Sequence, residues 1–469
     1  MGLSQKLLAV KDHEGNKIDA TQVKELYKNT LAIGWPSTVE GALLSIIGSV
    51  DTMMVGTLGA ASIAAVGLTG QPRMIMLIFA QALCIGTTAL CARRKGAGDQ
   101  AGANACLNQS LCLISGIGIL MTLLGYFGAE WLMVLGGANE DTLELSTGYF
   151  RIISLAFLPQ CWQLCICAAM RAIGKTRVTM VTNITANLIN VCLNYIFING
   201  KLGFPAMGVR GAALATACGT IASSIICICV VMRKDGYFHL RIPRFDRTTL
   251  SGLFKVGSSS MVEASCLRIG FLILARLIAG IGTKAFAAYQ IVSQVTSLSF
   301  TLGDGVSTAT TSLVGQSLGA KRKDLAMAYA QTGRRIGTMT AIGLMLVISL
   351  ASRELAMLFT TEQDIIRNVT MSFIVVIIAM IPQNGRVVQS GALRGAGDVR
   401  FVAACALISV TLLRPILTWL FCYPLANMLP GIPVAVLSPW IAFLIDAIVR
   451  DRLLAYRIRQ GKWLDIVLN

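Results

Sequence analysis

Apolar runs of twenty residues or more recur along the chain, separated by short polar segments. They fall near 30–56, 63–92, 105–128, 148–170, 178–199, 211–232, 253–280, 285–317, 330–351, 369–393, 400–423 and 432–450. About 20 apolar helical residues cross the hydrocarbon of a bilayer. In lipid a backbone must satisfy its own N–H and C=O groups, and runs of this length do so as helices. The pattern therefore predicts an all-α polytopic membrane protein with twelve transmembrane helices. The runs near 63–92 and 285–317 exceed what a span needs, which predicts tilt or a kink.

The second half of the pattern repeats the first at a fixed offset of 223 residues. Ile63-Ala64-Ala65 matches Phe286-Ala287-Ala288, Gln71 matches Gln294, and Thr87-Thr88 matches Thr310-Thr311. Gly34 and Glu40 match Gly257 and Glu263, Pro159-Gln160 matches Pro382-Gln383, and Arg171, Gly174 and Arg177 match Arg394, Gly397 and Arg400. Shared Leu and Ala content would not align Pro, Arg and Glu without a gap, so the offset marks a duplication. Six spans per half give both halves the same direction in the membrane. The expected architecture is two six-helix bundles related by a pseudo-twofold along the membrane normal, rocking about a central site. The expected division is a cytoplasmic leader at 1–28, an N-lobe at 29–235, a cytoplasmic linker at 236–252, a C-lobe at 253–450 and a cytoplasmic tail at 451–469.

Composition agrees with lipid as the main solvent. Of 469 residues 55% are hydrophobic and only 13% charged, against about 25% charged in a soluble domain. The net charge of +17 is not a nucleic-acid signature here, because the basic residues lie between apolar runs. Alternate polar segments carry 29 of the 40 Lys and Arg, and the opposite set carries 5. By the positive-inside rule both termini face the cytoplasm, in the inner (plasma) membrane of the cell. The excess charge then serves topology and contact with membrane lipids.

Several chemistries are excluded. The 14 cysteines lie mostly within apolar runs and read as packing residues, and His13 and His239 are the only histidines. No metal-ligand cluster, paired catalytic residues or phosphate-binding loop is present; Gly96-Ala-Gly-Asp99 is a turn. The chain is expected to be no enzyme and to need no cofactor, drawing energy from an ion gradient or from the substrate's own gradient. The loop Arg93-Arg-Lys-Gly-Ala-Gly-Asp99 lacks the Asp-Arg-x-Gly-Arg pattern of major-facilitator transporters.

Asp51-Thr-Met-Met-Val-Gly-Thr-Leu-Gly59 followed by Ala64-Ala-Val-Gly-Leu68 resembles the first-helix signature of the multidrug and toxic compound extrusion (MATE) family. Gly315-Gln316-Ser-Leu-Gly-Ala320, Gly391-Ala-Leu-Arg-Gly-Ala-Gly-Asp398 and Gly208-Val-Arg-Gly-Ala-Ala213 with Ala215-Thr216 fit the same family. The resemblance covers roughly 30–450 and implies a bacterial type, with the DinF-like branch as the expectation. It implies twelve helices in two bundles, and export of organic cations in exchange for H+ or Na+.

The candidate ion-coupling residues are Asp51, Asn190, Asn194, Thr216 and Glu263. A carboxylate at bilayer depth must face a cavity or a partner; Asp51 either does so or sits at the outer interface. It resembles the family's coupling aspartate. Asn190 and Asn194, at i and i+4, share a helix face. With Thr216 they resemble the polar network beside that aspartate, although interhelical hydrogen bonding alone also accounts for them. Asn194 stands where many members have Asp, which removes one negative charge. Amide and hydroxyl oxygens could still hold Na+ beside Asp51, but the missing acid favours H+.

Glu263 resembles a cation-site glutamate of the NorM-like branch, yet Gln383 and Asn384 stand where that branch has an acidic partner. Pairing of Glu263 with Arg268 or Arg276 is the alternative. Arg386 either compensates Glu263 or Asp51, or snorkels. Glu40, Gln71, Tyr289, Gln290, Gln294 and Gln383 are substrate-cavity candidates, and packing explains them equally. The expected function is efflux of small organic cations by a monomer, through antiport with H+ or Na+. The alternative is a lipid-linked oligosaccharide flippase of the wider superfamily.

Overall fold

The structure is a computed structural model and describes residues 19–233, 235–241, 245–281, 283–360, 362–425 and 434–467. Most of the expected leader, residues 1–18, lies outside them. Helices account for nearly all of the described residues. The first half comprises α1 (Ala20–Gly56), α2 (Ala60–Gly96), α3 (Gln100–Phe127), α4 (Ala129–Leu135), α5 (Glu140–Leu155), α6 (Phe157–Ala172), α7 (Thr176–Asn199) and α8 (Gly208–Met232). The second half comprises α9 (Arg247–Ala279), α10 (Thr283–Gly319), α11 (Lys323–Leu350), α12 (Ser352–Met357), α13 (Gln363–Ala396), α14 (Val399–Ala406), α15 (Arg414–Leu420) and α16 (Val434–Gln460). Eight helices are long and apolar enough to cross a bilayer, or nine with the bent pair α5–α6 counted as one span. Three more, α9, α10 and α16, have the length but carry more polar residues.

The repeat governs the element boundaries. The bounds of α2 and α10 differ by 223 residues at both ends, and so do those of α3 and α11. Turn geometry follows the same register. Gly174 and Gly397 both take left-handed φ, at 83° and 86°. Gly98 is left-handed at 73°, and its counterpart Lys321 holds φ 59° without glycine's freedom.

The halves differ where backbone hydrogen bonding is interrupted. Pro159 is the third residue of α6 and cannot bond the carbonyl four residues back; the chain bends by 51° between α5 and α6. Its counterpart Pro382 is absorbed within the 34-residue α13. The second half alone contains π-helical turns among the described residues, at Leu407–Leu413 and Phe421–Leu425, flanking α15.

Two compact units emerge. Val39–Met261 form one; the chain up to Thr38, with Val262–Leu468, forms the other. The divisions at 38/39 and 261/262 are the same repeat position. Each falls inside a helix, so α1 and α9 each begin in one unit and continue in the other. A glycine stands near each division, with room for a methyl group at ordinary contact distance. A methyl group on Gly34 would meet Gly305 O and Ala309 Cβ at 3.5 Å, and one on Gly257 would meet Ala82 O at 3.5 Å. Ala82 and Gly305 are themselves equivalent in the repeat.

Within the first of these units, Asp246 lies just ahead of α9. Hydrogen bonds from Thr248 and Thr249 hold its carboxyl below the usual carboxylate range. Thr249 Oγ1 also accepts from Arg94 at 2.6 Å, tying α9 to the end of α2. In the second unit α10 and α13 pack backbone to backbone. A Cβ on Gly395 would lie 2.3 Å from Thr311 O, a contact that only a main-chain shift can relieve. Gly395→Ala is expected to destabilise by about 1–3 kcal/mol, read as a lower unfolding temperature in detergent. Ala substitution of the unobstructed Gly343, also helical, should not lower it.

Candidate functional site

Three helices of the unit Val39–Met261 bring the N-lobe candidates together. α1 carries Asp51 five residues before its end, α7 carries Asn190 and Asn194, and α8 carries Thr216. Asn194 Nδ2 donates to Asp51 Oδ1 at 2.9 Å. In the orientation that satisfies both ends of its amide, Asn190 donates to both Asp51 oxygens at 3.0 and 2.9 Å. Its own oxygen then accepts from Thr216 Oγ1 at 3.2 Å and from Thr216 N at 3.0 Å. One helical turn between the two asparagines thus becomes two amides on one carboxylate. Gly219 allows α8 to approach: a Cβ there would lie 2.9 Å from Ala186 O and 3.0 Å from Asn190 Cβ.

Asp51 is half-buried and lines a cavity of about 170 Å³ with Thr52, Val66, Tyr149, Asn194 and Thr216. It therefore faces an internal space. No Lys, Arg or His lies within ion-pairing distance of it among the described residues. Asn194 Oδ1 is buried with no hydrogen-bond partner there, leaving a free acceptor beside the carboxylate. Tyr149 was not anticipated. It sits in the amphipathic α5 and reads in sequence as core packing, and only the α5–α8 packing brings it to the cavity.

The matched glutamates are placed quite differently. Glu40 is buried, 3.8 Å from the Arg171 guanidinium. It also accepts from Thr179 Oγ1 at 3.2 Å and from Asn183 Nδ2. Glu263 is buried between Arg394 at 2.6 Å and Arg450 at 3.3 Å. The expected partners Arg268 and Arg276 do not make this pair. They share α9 with Glu263, whereas Arg394 comes from α13 and Arg450 from α16. Arg171 and Arg394 are equivalent, so both units contain the same Glu–Arg pair.

Arg386 is buried. It donates to Gln383 Oε1 at 3.2 Å and lies 5.2 Å from the Phe300 ring, with no carboxylate within ion-pairing distance among the described residues. The other cavity candidates do not gather around Asp51. Gln71, Gln290 and Gln294 are exposed. Tyr289 packs with Phe286 and Trp440, with ring centroids at 6.5 and 5.2 Å. Gln383 is fully buried and its Nε2 has no partner among the described residues.

Sequence reading also missed Asp446, on α16. It is fully buried and accepts from Ser409 Oγ, which the π-helical turn Leu407–Leu413 carries. Its second oxygen has no hydrogen-bond partner among the described residues, and it lines neither the Asp51 cavity nor the larger cavity beside Asp451.

Comparison with known proteins bears on the family and the fold. The MatE family model matches the chain twice, over residues 36–196 and 260–420, one match in each half of the repeat. A probable multidrug resistance protein NorM of Thermotoga maritima is 26% identical over 456 residues, covering 96% of this chain and 95% of the relative. Multidrug resistance protein MdtK of Edwardsiella ictaluri is 26% identical over 442 residues, covering 92% and 95%. The fold matches that of an outward-facing multidrug resistance MATE family transporter with a TM-score of 0.85 at 22% identity, covering 93% of this chain and 97% of that one. These are membrane transporters, and the fold is the two-lobed, twelve-helix arrangement the repeat predicted.

Removing one partner of a buried ion pair leaves the other charge uncompensated, at about 3–5 kcal/mol. Glu40→Gln should therefore markedly lower the unfolding temperature. The double change Glu40→Gln with Arg171→Gln should recover much of the loss. Thermal unfolding of the purified variants checks both outcomes.

Proposed function

Because the chain belongs to the MatE family of membrane transporters, we propose that it exports small organic cations by antiport with protons, with Asp51 as the exchanging group. Both termini lie in the cytoplasm in this reading, and the protein works in the inner membrane as a monomer. The observation that carries it is a carboxylate on a cavity, hydrogen-bonded by two amides and, among the described residues, without a cation in ion-pairing distance.

A lone carboxylate in a low-dielectric site is held charged by hydrogen-bond donors or is neutralised by a proton. The two amides supply donors to the charged form. Asn194 Oδ1, unpartnered among the described residues, gives a protonated Asp51 an acceptor once the amide rotates. The same geometry favours H+ over Na+. A sodium ion needs several oxygens turned toward it, and both asparagines turn N–H groups toward the carboxylate.

Exchange becomes transport only if proton and cargo prefer different conformations. α1 links the site to such a change. Pro36 lies inside α1, two residues before the division between the compact units. It removes one helical hydrogen bond and makes a natural point of bending. Protonation at Asp51 would bias the course of α1 past Pro36, and release of the cation would follow.

A flippase for a lipid-linked oligosaccharide is the second reading. Arg386 and Arg414 favour it, since both are buried in the second unit and, among the described residues, have no carboxylate in ion-pairing distance. Against it, Arg414 lies over two aromatic rings, at 5.6 Å from Phe271 and 4.7 Å from Phe443, and Arg386 lies over Phe300.

In proteoliposomes, a pH gradient should drive movement of a fluorescent organic cation. Asp51→Asn should lower the initial rate at least about tenfold while leaving the unfolding temperature nearly unchanged. Pro36→Ala should slow transport several-fold with cation binding retained. Drive by a Na+ gradient alone would reassign the ion. Failure of both gradients with any cation, together with movement of a labelled lipid-linked sugar, would favour the flippase.

A further inference from the structure

A second cavity, in the second unit, lies beside Asp451. It measures about 330 Å³, and α11, α13 and α16 line it. One end is charged, with Arg334, Asp451 and Arg452; the opposite wall is apolar, with Ile378, Ile381 and Ile448. This division follows the sequence. After Arg334 and Arg335, α11 runs uncharged to its end at Leu350. On α16 the apolar stretch gives way at Arg450-Asp451-Arg452. The cavity therefore straddles the level at which both helices change from apolar to charged, which is where a bilayer's headgroups begin.

The charges within it are not balanced. Asp451 accepts from Arg334 at 3.0 Å and from Gln389 at 2.5 Å, so its carboxylate is already engaged. Gly385 leaves it room, since a Cβ there would lie 2.3 Å from Asp451 Oδ1. Arg452 is exposed and, among the described residues, makes no ion pair within 4 Å, although its charge reaches Asp451. One guanidinium is thus unmatched at the charged end. Ile378 is 56% exposed and Ile448 42%, leaving the apolar wall open to lipid.

We infer that this cavity binds an anionic phospholipid. The headgroup phosphate accepts from Arg452 and from the outer edge of Arg334, and an acyl chain lies along Ile378, Ile381 and Ile448. A guanidinium matches phosphate oxygens in a two-pronged geometry. A zwitterionic ethanolamine headgroup fits less well, because its ammonium would compete for a carboxylate that already has two donors. The ligand suits a headgroup-level site in a membrane with anionic lipid.

The test is native mass spectrometry and thermal unfolding of the full-length protein in detergent, with added phosphatidylglycerol, phosphatidylethanolamine or water-soluble glycerol phosphate. Phosphatidylglycerol should bind and raise the unfolding temperature more than phosphatidylethanolamine does, and glycerol phosphate should do neither. Arg452→Gln, at an exposed position, should weaken phosphatidylglycerol binding at least about tenfold, as expected for one lost charge-assisted bond. Arg452→Lys should retain most of it. Unchanged phosphatidylglycerol binding in Arg452→Gln would overturn the site. So would equal stabilisation by the two lipids, or full stabilisation by glycerol phosphate alone.

Discussion

A carboxylate held away from bulk water needs a cation beside it, a set of donors around it, or a proton on it. That constraint sorts the acidic residues inside this protein. Glu40, Glu263, Asp398 and Asp451 each have a guanidinium within ion-pairing distance. Asp51 and Asp446 have none among the described residues. Asp446 is fully buried and lines neither cavity, whereas Asp51 opens onto one. Among these six, Asp51 is the one that combines an unpaired carboxylate with a cavity, and it lies in the N-terminal half.

Duplication supplies the frame for this asymmetry. The Glu–Arg pair recurs in both units, and so do the left-handed glycines after α6 and α13 and the glycine contacts of α1 and α9. What differs is chemistry laid over the frame. Asn183 and Thr179 support Glu40 in one unit, and Arg450 replaces them beside Glu263 in the other. A carboxylate held by two guanidinium groups has little to offer a further cation. The second unit is accordingly rich in buried positive charge, with Arg386, Arg414 and Arg450 all buried.

Much of this was legible in the sequence, because lipid imposes long periodic signals and the duplication imposes a second copy of each. Helix positions, the offset and the gathering of Asp51, Asn190, Asn194 and Thr216 followed from those signals together with the family resemblance. Partners drawn from distant helices were not legible. Glu263 pairs with Arg394 and Arg450, not with the arginines of its own helix, because helix packing and not chain proximity decides which side chains meet. Tyr149 and Asp446 were hidden for the same reason. Gln71 and Gln294 hold matched positions, and both are exposed.

The central claim is that Asp51 exchanges a proton for cargo. Cation-induced proton release from the solubilised protein, followed with an indicator dye in weak buffer, tests it most directly. About one proton released per cation bound by the wild type, and none by Asp51→Asn with its fold intact, is the predicted result. Equal release from Asp51→Asn, or cation binding by the wild type with no proton released across the pH range, would contradict it.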